Sequence, residues 1–352
     1  MKKILCLVMA MIFVLSIAGC GEKMPTEITV LTWKDYLPAS VIDDFTAETG
    51  IKVNMKSAET NEEMLEELRR KDGTYDMVIL SDYASDIAIK EGLLQKTDFS
   101  KMENLKYVNP GFQSKYYDIN NEYTLPYSAA AILIAYDPAK TPIVIDSYSD
   151  LLAPELLNSI VFLDDESAIL GISNIMLGNE PSNVDNLIET QNILKAFNRN
   201  AKRTGGQYIE DLLISGDASV GVMFTSDLGY ATTYNKNLEI VYPGEGFLCS
   251  IDVMAVPVNA KGVAGVKLLM NYIHDPMVNG KIIPEISCST VNLSAEQFMD
   301  AEYRESIGYN IDADKAGKGI LMSKISDEIM EETFNWRYKR YFILKEVTDQ
   351  EE

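Results

Sequence analysis

Trp33, Asp35 and Tyr36 fall within four positions of one another in the stretch LTWKDYLP, residues 31–38, directly after an apolar run. The grouping recurs as Ser81, Asp82 and Tyr83, again after an apolar run. Rings beside carboxylates suit an organic ammonium. Once its water is removed, an ammonium needs its charge compensated. A carboxylate does this through a charge-assisted hydrogen bond, and each ring face adds about 0.5–2 kcal/mol. Methylenes between amines gain by lying along the rings. Several acids in one cleft repel each other when it is empty, and a polycation relieves that repulsion. Other apolar runs end in similar residues. Asp164, Asp165 and Glu166 follow VFL, Phe224 closes SVGVMF with Asp227 nearby, and Asp252 opens DVMAV. Each group also has a structural reading: Trp33 and Tyr36 as core or edge packing, Asp164 and Asp165 as an N-cap before a helix over 167–178.

The elements that must position these residues are legible from periodicity. Residues 27–32, 51–55 and 76–80 read as strands, with helices over 40–48, 60–71 and from the third strand to about 90. Gly50 terminates the first helix. Thr60-x-x-Glu63 opens the second as a capping box, with Arg69, Arg70 and Lys71 at its end. Strand and helix in alternation imply parallel pairing with right-handed crossovers. A second α/β run starts near Pro126. It has strands at 129–136, 218–224 and 238–242, and a further strand reached from a helical turn within 147–165. Helices fall at 184–202 and 209–215. Residues 252–256 and 262–274 return to the style of the first run. In open parallel sheets ligands bind outside the carboxyl ends of strands, where the marked residues lie.

The chain has 352 residues, 47% of them hydrophobic, enough for two lobes. With 31 basic and 53 acidic residues its net charge is −22, a field that repels nucleic acid and anionic lipid heads and attracts cations. The N-terminus, MKKILCLVMAMIFVLSIAGC, has a charged start and an apolar stretch too short for a comfortable membrane span. Its end, Ile17-Ala18-Gly19-Cys20, resembles a bacterial lipobox. That resemblance implies a signal peptide over 1–19, lipid attachment at Cys20 and a tether over 20–26, with about 0.8 kcal/mol of anchoring per buried methylene.

Cys249 and Cys288 remain, as a disulfide or as two buried thiols. His274, the single histidine, reads as a surface residue at a helix end. G-x-S-x-G and HExxH are absent. Adjacent Asp164 and Asp165 on a strand would point to opposite faces, unsuited to a glycosidase pair. The expectation is a binding protein with no catalytic residues, no cofactor and no metal.

The stretches TWKDYLPASVIDDFTAETGIKV (32–53), YDMVILSDYASDIAIKEGLLQKTD (75–98), LPYSAAAILIAY (125–136), SYSDLLAPELLNSIVFLDD (147–165) and DVMAVPVNAKG (252–262) together resemble the spermidine/putrescine-binding proteins of polyamine ABC importers. The resemblance implies an α/β type II periplasmic-binding-protein fold, with two lobes joined by crossover strands around a ligand cleft. Lobe 1 would comprise 27–127 with 252–300, and lobe 2 128–251 with 301–352. It also implies a lipid-anchored monomer outside the cytoplasmic membrane, delivering its ligand to an ABC permease and ATPase. The family's ring and hydroxyl positions fall on Trp33, Tyr36, Ser81 and Tyr83, its carboxylates on Asp165 and Asp252, and a sandwiching tryptophan on Phe224. Asp35 and Asp82 complete the candidate set. Departures are Lys34 for a small hydroxyl residue, Ala168 for a second acid, Ser250 for a tryptophan and Cys288 for a tyrosine. Asp82, Glu166 or Asp227 could substitute for the missing acid. These changes leave open another organic cation, an amino-acid-like solute or a metal ion. Tyr116-Tyr117 is similar to the tyrosine pairs of ferric-binding relatives, but reads as a loop away from the strand-end cluster.

Overall fold

Runs of Ile, Val and Leu bounded by polar turns form the strands here, and amphipathic stretches between them form the helices. The computed structural model describes residues 24–163, 165–205, 208–306 and 319–321. The leader 1–19, Cys20 and Asp164 lie outside the described residues, as does most of 301–352.

The chain begins β1 (Glu27–Thr32), α1 (Ala39–Thr49), β2 (Lys52–Ser57), α2 (Asn61–Arg69), β3 (Met77–Ser81) and α3 (Asp82–Lys90). β4 (Thr124–Tyr136) and β5 (Ile160–Phe162) follow. After them come α4 (Glu166–Met176), α5 (Leu187–Asn200), β6 (Ala201–Thr204), α6 (Asp211–Ser215), β7 (Val220–Phe224) and α7 (Thr225–Tyr234). β8 (Glu239–Val241), β9 (Phe247–Ala255), α8 (Val263–Ile273), α9 (Pro276–Glu285), β10 (Ser289–Thr290), α10 (Ala301–Glu305) and β11 (Gly319–Leu321) complete the described residues.

β1 pairs in parallel with β2 and β3, as the alternation requires. The strand order is β2-β1-β3-β9-β4-β7-β5-β6. β4 and β9 join the two halves. Residues 124–131 of β4 pair with β9 on the side of β1–β3, and residues 132–136 pair with β7 and β8 on the other side. Helices cover both faces of each half. Phe45, Met77, Ile79, Tyr127, Met254 and Leu269 fill one side of the first half; Leu65, Leu80 and Val253 fill the opposite side. The second half has its own cores around Ile134, Leu170 and Phe197 and around Leu213, Met223 and Phe247. No helix among the described residues is long and apolar enough to cross a membrane.

Several elements differ from their sequence readings. β9 starts five residues before Asp252, because Phe247, Leu248 and Ile251 are buried on both faces and show no alternation. β4 runs back to Thr124 through Pro126. The register shifts between Pro126 and Ser128, so the ladder accommodates a residue without an N–H. In α2 the Thr60 hydroxyl accepts from the Glu63 N–H at 3.2 Å, but the Glu63 carboxylate accepts from Glu59 N–H, one residue beyond the expected box. α9 has no counterpart in the periodicity reading. It begins on an Asp275 cap with Pro276 in its first turn. That helix explains the largest error: His274 is fully buried, not at the surface. The chain turns straight from α8 into α9, and Asn292 donates to the His274 carbonyl. Burial pulls its imidazole down to about 4.

Asp76, 8% exposed, fixes the base of the first half. Its carboxylate accepts from the backbone N–H of Thr29, Lys261 and Gly262, at 2.7–2.9 Å. Asp76→Ala leaves those donors without acceptors. It should destabilise the protein by about 3 kcal/mol, read by urea unfolding, since each buried unsatisfied donor costs about 1–3 kcal/mol.

Candidate functional site

Asp252 lies where the strand ends converge. In the antiparallel ladders it stands opposite Ser81 of β3 and opposite Ser128 of β4, which puts the three side chains on one face. Ser81 Oγ donates to Asp252 Oδ1 at 3.0 Å, and Ser128 Oγ approaches Oδ2 at 3.4 Å. The Tyr36 hydroxyl donates to the same Oδ2 and lies 2.8 Å from Ser128 Oγ and 3.5 Å from Cys288 Sγ. One carboxylate therefore gathers the turn after β1 and the strands β3, β4 and β9. Burial raises its carboxyl above the usual range, and the three hydroxyls pull the other way. Burial, reinforced by Asp252, pushes the Tyr36 phenol well up.

The rings lie beside it. Trp33 meets Tyr36 edge-on, with centroids 5.1 Å apart, and Tyr127 packs edge-on against Tyr36 from behind. Tyr127 also donates to the Tyr36 carbonyl at 2.6 Å, fixing the turn that carries the ring. Tyr83, partly buried in the first turn of α3, donates to Glu62 at 3.2 Å and accepts from Asn61 at 3.1 Å. Burial raises its phenol, and the charges of Glu62 and of Asp165, from the other half, raise it further. Asp165 Oδ1 caps α4 by accepting from Ala168 N–H at 2.9 Å, as its capping reading expects. Phe224 ends β7, partly buried. Asp227, in the first turn of α7, is pushed up to about 7 by burial and by Glu210. Its charge also acts weakly on Cys288.

Not every candidate joins this group. Lys34 and Asp35 are exposed, and Asp35 takes a left-handed φ of 59° in the turn. Asp82 is fully buried; its carboxylate accepts from Tyr83 N–H, and burial raises it strongly. Glu166 is exposed. Ala168 and Ser250 are buried and present no ring or charge. Cys249 and Cys288 are both free thiols, each pushed up to about 12 by burial. Tyr116-Tyr117 is not remote. Tyr117 is buried in the cluster that Trp33 and Tyr83 pack against, and the Asp82 and Asp252 charges act on it. Sequence reading missed Ser128, the one serine in the β4 run, and Asn61 and Glu62 beside the Thr60 cap.

Residues 40–307 match the family model of the bacterial extracellular solute-binding proteins. The chain is 32% identical over 303 residues to a spermidine/putrescine-binding periplasmic protein of Salmonella typhimurium, covering 84% of this chain and 86% of that one. It is 30% identical to spermidine/putrescine-binding periplasmic protein 1 of Haemophilus influenzae, over 94% of this chain and 96% of the other. A solved structure from Listeria monocytogenes, provisionally described as a spermidine/putrescine ABC transporter, superposes with a TM-score of 0.79 at 27% identity, covering 92% of this chain and all of that one. With its two α/β halves joined through β4 and β9, the chain belongs to the bacterial extracellular solute-binding proteins, among the spermidine/putrescine-binding family.

Proposed function

We propose that the protein captures a polyamine, putrescine or spermidine, outside the cytoplasmic membrane and delivers it to an ABC importer. The observation that carries this reading is the Asp252 carboxylate, held by Tyr36, Ser81 and Ser128 beside the Trp33 and Tyr83 rings. Asp165, Asp227 and Phe224 supply acids and a ring from the other half. An ammonium would take the Asp252 side, the alkyl chain would lie along the rings, and the other half would meet a second amine. Lobe 1, 27–127 with 252–300, and lobe 2, 128–251 with 301–352, close on the ligand about the crossover strands, because the closed form gains contacts with both. The protein works without catalysis or cofactor, as a monomer tethered by lipid at Cys20 after loss of 1–19, and hands its ligand to a permease driven by its ATPase.

Isothermal titration with putrescine and spermidine tests the reading; no heat from either, with folded protein, would overturn it. Asp252→Asn or Asp165→Asn should weaken binding by about 1.5–3 kcal/mol, the range for a hydrogen bond to a charged group. Trp33→Ala should weaken it through lost ring contact.

Asp227 makes binding depend on pH. A carboxyl raised from 3.8 to about 7 holds more protons in the folded than in the unfolded chain across that window. Stability from this group is present at low pH and lost as pH rises toward 7. In thermal melts Asp227→Asn should therefore gain on the wild type as pH rises from about 4 to about 7. A bound ammonium favours the ionised form, so binding should release protons near pH 7 and tighten as pH rises. Titration in buffers of different ionisation enthalpy counts those protons, and Asp227→Asn should release fewer.

A further inference from the structure

Asn61, the first residue of α2, sits behind the Ser81 and Tyr83 hydroxyls and belongs to neither strand end. The Ser81 backbone N–H donates to Asn61 Oδ1 at 3.1 Å. A backbone N–H can only donate, so this contact sets which way the amide faces. Nδ2 then donates to Ser81 Oγ at 3.2 Å and to the Tyr83 hydroxyl at 3.1 Å. Both amide hydrogens are committed. Each hydroxyl, having accepted from Asn61, must give its own proton elsewhere. Ser81 gives it to Asp252 at 3.0 Å and Tyr83 gives it to Glu62 at 3.2 Å.

A hydroxyl carries one donor and two acceptor positions. With the donor spent on a carboxylate and one acceptor filled by Asn61, the remaining direction on each oxygen can only accept. The carboxylates of Asp252 and Glu62 also only accept when ionised. We propose that Asn61 is a positioning residue for ligand binding: it fixes the proton directions of Ser81 and Tyr83, so that this wall of the site offers acceptors alone. Such a wall receives an ammonium and has nothing to give a carboxylate. It therefore separates a diamine from an amino-acid-like solute of the same length. Without Asn61 each hydroxyl keeps its carboxylate acceptor but loses the donor that occupies its other side, so it can turn its proton from the carboxylate into the site. Glu62, exposed at the rim, thereby becomes part of the same acceptor wall through Tyr83.

This inference rests on the polyamine reading, and the test keeps the two apart. Putrescine and spermidine are titrated into the wild type, Asn61→Leu, a Ser81→Ala/Tyr83→Phe protein, and the triple variant. Asn61→Leu should bind about tenfold or more weakly, the loss expected when hydrogen bonds to charged partners are disordered. In the background lacking both hydroxyls, Asn61→Leu should have no further effect, because the groups it positions are gone. A purely structural role would lower affinity equally in both backgrounds, and that additivity would overturn the proposal while leaving polyamine binding standing. No binding by the wild type would overturn the functional reading and this inference with it. If Asn61→Leu melts early, Asn61→Ser, which also removes the amide donors, carries the same expectation in the same cycle.

Discussion

A buried carboxylate that three strands and a turn must share is the constraint on which the rest of the molecule depends. Asp252 is only 8% exposed. A charge taken out of water to that extent is tolerated only where donors replace the lost hydration. Ser81 and Ser128 can do so because the ladders place both opposite Asp252. A slip of one residue in either ladder would turn Asp252 to the face of Ile251 and Val253, where it would meet the apolar cluster of Leu31, Val78 and Leu80. The polar triplet thus specifies register as well as chemistry. Tyr36 adds a third donor from outside the sheet, and its own position is fixed by Tyr127 through a carbonyl and a ring contact.

That carboxylate also lies near where strand pairing changes. β4 leaves β9 after Ala131 and meets β7 from Ile132, so the backbone that carries Ser128 continues directly into the other half. β9 likewise runs from Phe247, packed in a second-half core, to Asp252 and Met254 in the first. Any rotation between the halves must be absorbed in these strands, within a few residues of the acid. On the proposed reading, a ligand held at Asp252 is therefore placed where small changes in strand twist produce large changes in how far Asp165 and Asp227 stand from it.

The first half was legible because its elements obey a simple period. Val41 and Phe45 share a stripe, Gly50 stops α1 in a left-handed turn, and β1–β3 are short and bounded. β9 and β4 were cut short in the reading because strands buried on both faces lose the alternation that marks a strand, and because Pro126 reads as a break until the bulge is seen. His274 was misplaced since its burial comes from α9 and Asn292, which are tertiary facts. In the site, residue types exposed Trp33, Tyr36, Ser81 and Asp252. Nothing in the sequence separated Asp82 from them. A residue's neighbour in sequence sits on the opposite side of the chain, so Ser81 reaches Asp252 while Asp82 is shut inside. Asn61 was hidden by the cap beside it.

The departures from the family pattern gain meaning from this geometry. Ala168, standing where a second acid was expected, lends its N–H to Asp165 and adds no charge of its own at that corner. Asp227 instead brings one from α7, close enough to act on Cys288. Cys288, in place of a tyrosine, touches the Tyr36 hydroxyl with a thiol that burial keeps neutral. On the proposed reading, a thiol stands beside Tyr36 where the family pattern has a ring, and Asp227 on α7 supplies the acid that Ala168 on α4 does not. On the proposed reading, an acid pushed up to about 7 is only partly ionised near neutral pH, so it repels Asp252 less in the empty site than an ordinary carboxylate would. On that reading the empty site carries less charge between its two halves, and an arriving ammonium draws the acid the rest of the way to its ionised form.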